Sequence, residues 1–240
     1  MAPVIDVRRA AERFSTRTQW LASRHSFSFG EHYDPANVGF AALVAHNDDV
    51  VAVGAGYDTH PHADTEIVTW VLEGSLVHLD SRGGSHVLVQ GSVQLLSAGS
   101  GVLHSERNDA PGAARPTRFV QMWLRPDESG LPPAYAQAAV ADERGLVPLV
   151  SGVRGLDAPV RIHTAGAALH VARLAPGQSV GLPDAPHVHV FVARGRVDLA
   201  GAGRLAEGDA ARCTGEGGPC VTADEPAELL VWQLNAPLAR

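Results

Sequence analysis

The sequence predicts an all-β chain of two β domains joined by a short helical connection, and three observations carry that expectation. Short runs rich in β-branched and aromatic residues alternate at a period of two, and Gly-containing breaks separate them at the spacing of sandwiches or barrels. A composition of 45% hydrophobic residues with 25 Gly and 16 Pro suits many short elements joined by tight turns. At 240 residues the chain is also long enough to bury a core without covalent staples.

The first half supplies strand runs at Ser26 to Gly30, Ile67 to Gly74, Ser75 to Asp80, Ser85 to Gly91, Ser92 to Gly99 and Thr117 to Leu124. After Leu124 the composition becomes turn-rich and then Ala-rich, with Pro132 and Pro133 placed to start a short helix at Ala134. Residues 131–147 are therefore read as a connection between a first domain, 1–130, and a second, 148–240. Strand grammar resumes at Leu169 to Val180, His187 to Gly201, Gly203 to Cys213 and Ala227 to Leu234. The halves form a degenerate repeat: Thr69 to Leu79 can be laid on Val190 to Ala200 with Gly74 on Gly195, and Gly91 to Val93 on Gly208 to Ala210.

The net charge is −7 and the sequence contains no Lys, so every fixed cation is an Arg. No run supplies a clustered basic face, which argues against direct nucleic-acid binding. The longest apolar run, Val38 to Ala45, is too short to cross a bilayer, and the N-terminus lacks an uninterrupted apolar segment. A cytoplasmic chain without membrane contact is expected. There Cys213 and Cys220, which could face each other across a hairpin base, would stay reduced.

Twelve His are present. His25, His32, His46, His86, His163 and His170 stand singly and read as solvated or hydrogen-bonded. His60 and His62 differ, because an H-x-H step in a strand puts both imidazoles on one face, one pleat apart. Forty-two residues beyond His62, His104 and Glu106 repeat the i, i+2 spacing of ligand-type side chains. Three imidazoles and a carboxylate without thiolate suit Fe, Mn, Co, Ni, Cu or Zn and disfavour Ca and Mg. A six-coordinate ion so held keeps positions open for chemistry; a closed tetrahedral zinc site is the alternative.

The markers H-P-H-x3-E-x-V-T-x-x-L-E-G, H-x-D-S-x-G and Q-x-x-x-A-G-x-G-x-x-H-S-E, spread over nearly the first 130 residues, resemble the pirin family of bicupins. The resemblance implies two cupin (jelly-roll) β-barrels with a single divalent transition metal, usually Fe2+, in the first. It maps the ligands onto His60, His62, His104 and Glu106, and leaves Glu66 outside the ligand set. The activity implied is opening of a flavonol such as quercetin, or another aromatic enol, with O2 and release of carbon monoxide, Glu106 being the candidate base. The alternative carried by the same resemblance is an iron-binding, redox-sensitive regulator that acts by contact with a transcription factor or metabolic enzyme as protein partner.

Four further expectations concern the surroundings of the site. Glu66 either orients His60 or His62 from behind or satisfies backbone donors. His78, Asp80 and Ser81 read as a hairpin turn. Trp70, Phe119, Met122 and Trp123 read as core. Carried across the repeat, His60, His62, His104 and Glu106 fall on Gly181, Pro183, Val221 and Ala223, so the second barrel is expected to be degenerate and without metal, despite its own H-x-H pair, His187 and His189.

Overall fold

The computed structural model describes residues 4–140, 144–215 and 217–235. Strands dominate, and the single turn of 3-10 helix at Ala10–Glu12 is the one helical element among the described residues. Each half pairs a seven-stranded sheet with a four-stranded one. In the first half the large sheet runs Ala134–Ala139, Ser92–Ser97, Glu66–Glu73, Thr117–Leu124, Leu43–Val51, Leu21–His25, Phe14–Arg17. Its small sheet runs Gly56–His62, Val102–Arg107, Ser75–Asp80, Ser85–Val89. In the second half the large sheet is Val4–Arg8, Ala210–Thr214, His187–Arg194, Ala227–Leu234, Ala167–Leu174, Gly145–Ser151, Val160–Arg161. The small one is Ser179–Gly181, Cys220–Ala223, Arg196–Leu199, Gly203–Ala206.

The repeat suggested by the sequence is visible in this layout. Gly74 and Gly195 each turn the chain from the large sheet to the small one at a φ of +77° and +78°. A side chain there would also collide with the neighbouring strand, at Thr117 or at Pro226.

Two strand expectations change. Ala134–Ala139 is a strand, not a helix: it hydrogen-bonds along Ser92–Ser97 from Ala134 opposite Ser97 to Ala139 opposite Ser92. An alternating AYAQAA segment beside an open sheet edge gains a full ladder there, and that outweighs the helix preference of Ala. Ser26 to Gly30 is an irregular segment closed by a single bridge between Phe29 and His32. Its alternation serves a loop that buries Phe27. The N-terminal strand also crosses to the other half, since Val4–Arg8 pairs with Ala210–Thr214 of the second half. It occupies there the edge that Ala134–Ala139 occupies in the first.

The large sheets pack face to face, and their contact forms the most extensive apolar cluster. Val68, Trp70, Leu72 and Met122 from one side meet Leu169, Phe191, Leu230 and Trp232 from the other. Trp232 donates its indole N–H to Met122 Sδ at 3.1 Å, and Trp70 donates to Glu228 Oε1 at 2.7 Å. Trp70 and Met122 are thus core residues, as expected, but of the interface between halves. The opposite faces differ in kind. The second half is filled by an apolar cluster that includes Val190, Val197, Leu205, Val221 and Val231. In the first half two small apolar clusters, around Phe119 and Leu76 and around Ile67 and Leu96, leave a polar band between them.

His46 and His189 lie within the sheet interface, their rings 5.0 Å apart and His46 also 4.5 Å from Phe191. His46 is therefore buried, and with Ser26 Oγ 3.4 Å from its Nδ1 it takes the hydrogen-bonded of its two expected fates. Burial depresses both imidazoles, His189 to about 3, reinforced by Arg212 and Arg13. Because the folded pKa lies below the unfolded value, the unfolded chain binds more protons in acid. The stability His189 retains above pH 6.5 is lost as the pH falls toward 3. Urea unfolding at pH 7 and pH 5 should show the wild type losing about 2 kcal/mol more than His189→Phe over that interval. Equal losses would show that His189 carries no such linkage.

Candidate metal centre

The site lies inside the first barrel, on the inner face of its small sheet. His60 and His104 are direct cross-strand partners, and the register slips between His104 and Glu106, which faces Tyr57. Asp58 and Thr59 absorb that slip as a bulge, which re-aims the strand just before the H-x-H step. The ring centroids of His60, His62 and His104 are 4.4 to 5.0 Å apart, and one nitrogen from each lies within 4.8 Å of the others. His60 Nδ1 donates to the Asp58 carbonyl at 2.8 Å, which fixes the tautomer and leaves Nε2 with a lone pair. His62 Nε2 and both nitrogens of His104 are buried without a hydrogen-bond partner.

Burial is the main reason that the His62 imidazole is depressed to about 4 and that of His104 to about 3, with repulsion from His104 and His60 adding to it at His62 and from His60 and His78 at His104. All these effects favour neutral rings with free lone pairs near neutral pH. Unpartnered buried nitrogens are costly, and a divalent ion is the partner that would satisfy them. The chemistry and position of the donors fit such an ion.

Glu106 is buried beside this triad and falls within 4.8 Å of His104 in a second group completed by His78. Its carboxylate is held by two amides: Gln94 Nε2 donates to Oε1 at 3.2 Å and Gln121 Nε2 to Oε2 at 2.6 Å. The structure therefore brings His60, His62 and His104 together and sets Glu106 against His104.

Glu66 behaves differently from one of its two expected roles. Along Glu66–Glu73, residues 66, 68, 70 and 72 face the other half, while Thr69 faces inward, so Glu66 points away from the imidazoles. It accepts Ser97 Oγ at 2.6 Å and the backbone N–H of His163 at 3.2 Å, with the His163 ring 3.4 Å away. Glu66 ties the halves together and satisfies a backbone donor; it does not orient His60 or His62. His163, half-exposed, takes the hydrogen-bonded of its two expected fates.

The turn reading of Asp80 holds, since its Oδ1 accepts the N–H groups of Arg82 and Gly84. His78 is more than part of that turn. It is fully buried opposite Glu106 on the adjacent strand, its ring 5.3 Å from His104. Its Nε2 lies 3.4 Å from Asp80 Oδ2, close enough for attraction but not aligned as a hydrogen bond. Trp123 packs against the cluster around Ile67 and Leu96, as expected of a core residue, and its ring also meets His62 edge-on at 4.9 Å. Sequence reasoning also missed Gln94 and Gln121. The available signal was a lone Gln flanked on both sides by apolar residues in each strand, SVQLLS and TRFVQMWL.

In the second half, the H-x-H pair lies on the interface face of its strand, with His187 5.5 Å and His189 6.4 Å from Phe40. It cannot reach the second barrel's interior, which Val188, Val190 and Val192 fill instead. Cys213 and Cys220 are free thiols, one buried and one exposed.

The Pirin family profile matches residues 6–124, and a profile described as the quercetinase C-terminal cupin domain matches residues 149–234. A Mycobacterium tuberculosis protein provisionally named quercetin 2,3-dioxygenase is 50% identical over 241 residues, which span 99% of this chain and 98% of that one. The chain belongs to the pirin family. Another relative, the quercetin 2,3-dioxygenase of Escherichia coli K12, is 36% identical over 96% of this pirin and 99% of its own length. Among solved structures, YhhW of E. coli superposes with a TM-score of 0.91 at 32% identity, covering 99% of this chain and all of that one. The nickel(II) complex of the same bacterial pirin gives a TM-score of 0.89 at 33% identity, over 98% of this chain and 100% of that one.

Two substitutions separate the roles assigned here. His104→Ala should abolish stoichiometric Ni2+ uptake measured by calorimetry and elemental analysis. Glu66→Gln should leave Ni2+ affinity within about twofold of wild type while lowering the thermal midpoint, because it weakens a link between the halves and no metal ligand. A tenfold loss of affinity in Glu66→Gln would restore it to the metal centre.

Proposed function

We propose that this pirin is a metal-dependent dioxygenase that opens flavonols such as quercetin with O2. One observation carries the reading: three imidazoles, two of them with buried unpartnered nitrogens, converge beside a buried, oriented carboxylate. The names of the relatives support the same chemistry. His60, His62, His104 and Glu106 would hold the ion, most often Fe2+, although the donor set also suits Mn, Co, Ni, Cu or Zn. When bound, the ion supplies Lewis acidity toward the flavonol oxygen and a place for O2 to react.

The chain's own residues do the rest. A cleft of about 550 Å3 opens beside the centre, with His62 in its lining together with Pro61, Ala63, Ser81, Val102 and Leu103. Its largely apolar walls suit a flat aromatic substrate. Trp123 and Phe29, 5.2 Å apart in an edge-to-face pair, close the side of His62 away from the strands that bear the ligands. Glu106 is the candidate base. A carboxylate oxygen has more than one lone pair, so Oε1 or Oε2 can keep its amide donor while receiving the hydroxyl proton of the substrate. The electron-rich anion that results is the species that combines with O2, and carbon monoxide leaves as the ring opens.

The test uses protein loaded anaerobically with Fe2+, then mixed with quercetin and O2, following flavonol absorbance together with carbon monoxide. Wild type should consume quercetin with matching gas release. His62→Ala and Glu106→Ala should each fall by about 100-fold or more. No turnover of several flavonols with several divalent metals would overturn the dioxygenase reading. Turnover that survives His62→Ala would overturn the site instead.

A further inference from the structure

We propose that Trp123 is a positioning residue for the metal centre, acting through Gln121 on the orientation of the Glu106 carboxylate. The inference rests on the metal-binding reading above and extends it to residues that are not themselves ligands. Its physical basis is the donor inventory of two side chains. An indole nitrogen can only donate, so the contact from Trp123 Nε1 to Gln121, at 3.0 Å, identifies the atom it meets as the amide oxygen. The other end of the amide is then the nitrogen. Its hydrogens serve Glu106 Oε2 at 2.6 Å and, more weakly, Thr69 Oγ1 at 3.4 Å.

Without the indole, the amide could turn over and present its oxygen to a carboxylate oxygen, an arrangement that repels. With it, Glu106 is anchored at Oε2, while Gln94 anchors Oε1 from Ser92–Ser97, two strands away in the large sheet. Gln121 and Trp123 sit two residues apart on Thr117–Leu124, so both face inward, and Gln121 lies directly across from Thr69. Trp123 also abuts the His62 ring. One residue is therefore coupled to donors on both sides of the centre: to His62 by packing and to Glu106 by a hydrogen-bonded relay.

The two couplings can be told apart, because Trp123→Phe keeps a ring beside His62 and removes only the N–H. The probe is Co2+ alone, titrated into metal-free protein, with affinity read by calorimetry and coordination by the visible absorption of bound Co2+. Gln121→Met should weaken Co2+ binding about tenfold and shift the visible band, as loss of a group that orients a ligand does. Trp123→Phe should weaken it about threefold or more with a shift in the same direction. The double variant should bind no more weakly than Gln121→Met, since a residue that works through Gln121 has nothing left to act on.

Co2+ affinity within twofold of wild type and an unchanged spectrum in Trp123→Phe would overturn the proposal, as would losses that add in the double variant. Thermal unfolding of the metal-free variants checks that they fold. Should Trp123→Phe not fold, Gln121→Glu decides, because it keeps an acceptor for the indole but sets a carboxylate against Glu106. A wild-type Co2+ affinity in that variant would overturn the relay. A wild-type chain whose Co2+ binding is indifferent to His60→Ala would instead sink the metal centre itself.

Discussion

Burial of both faces of two seven-stranded sheets is the constraint on which the rest of the molecule depends. Their mutual contact holds the largest apolar cluster and both indole N–H bonds that span the halves. A strand buried on two sides reads as a nearly unbroken apolar run, which is why Glu66–Glu73 and Ala227–Leu234 look alike although they belong to different halves. The edge strands follow from the same demand: Ala134–Ala139, from the connection, completes the first large sheet, and Val4–Arg8, from the N-terminal segment, completes the second.

With that interface in place, the two barrel interiors can diverge. The second is packed with Val, Leu and Ala, and where Glu106 faces His78 across the small sheet of the first, Val221 faces Leu199 in the second. The first gives up apolar filling for a row of polar side chains across the large sheet: Gln94, Thr69, Gln121, Asn47 and His25 are successive cross-strand partners. Buried polar groups cost stability unless each finds a partner. In this row the amides find them in Glu106, Thr69 and Trp123, and His25 Nδ1 meets Asn47 Oδ1 at 2.9 Å. His62 Nε2 and both nitrogens of His104 do not, and that residual demand marks the centre. Asp49 belongs to the same interior; burial pushes its carboxyl up to about 7, even though Ser23 and Tyr57 donate to it.

The sequence alone determined the all-β class, the degenerate repeat and the pairs His60/His62 and His104/Glu106. These are local facts: a period of two sets a face, and a spacing of i, i+2 sets a pair on it. Tertiary structure decided what each face looks at. Glu66 and the His187/His189 pair have the same strand grammar as the triad, yet the period-two alternation sends them into the interface between halves. The Ala134 segment became a strand because an open edge was waiting for it. The roles of His78, Gln94, Gln121 and Trp123 exist only once four separate strands close around Glu106, because no residue's own sequence neighbourhood records which strand will lie opposite.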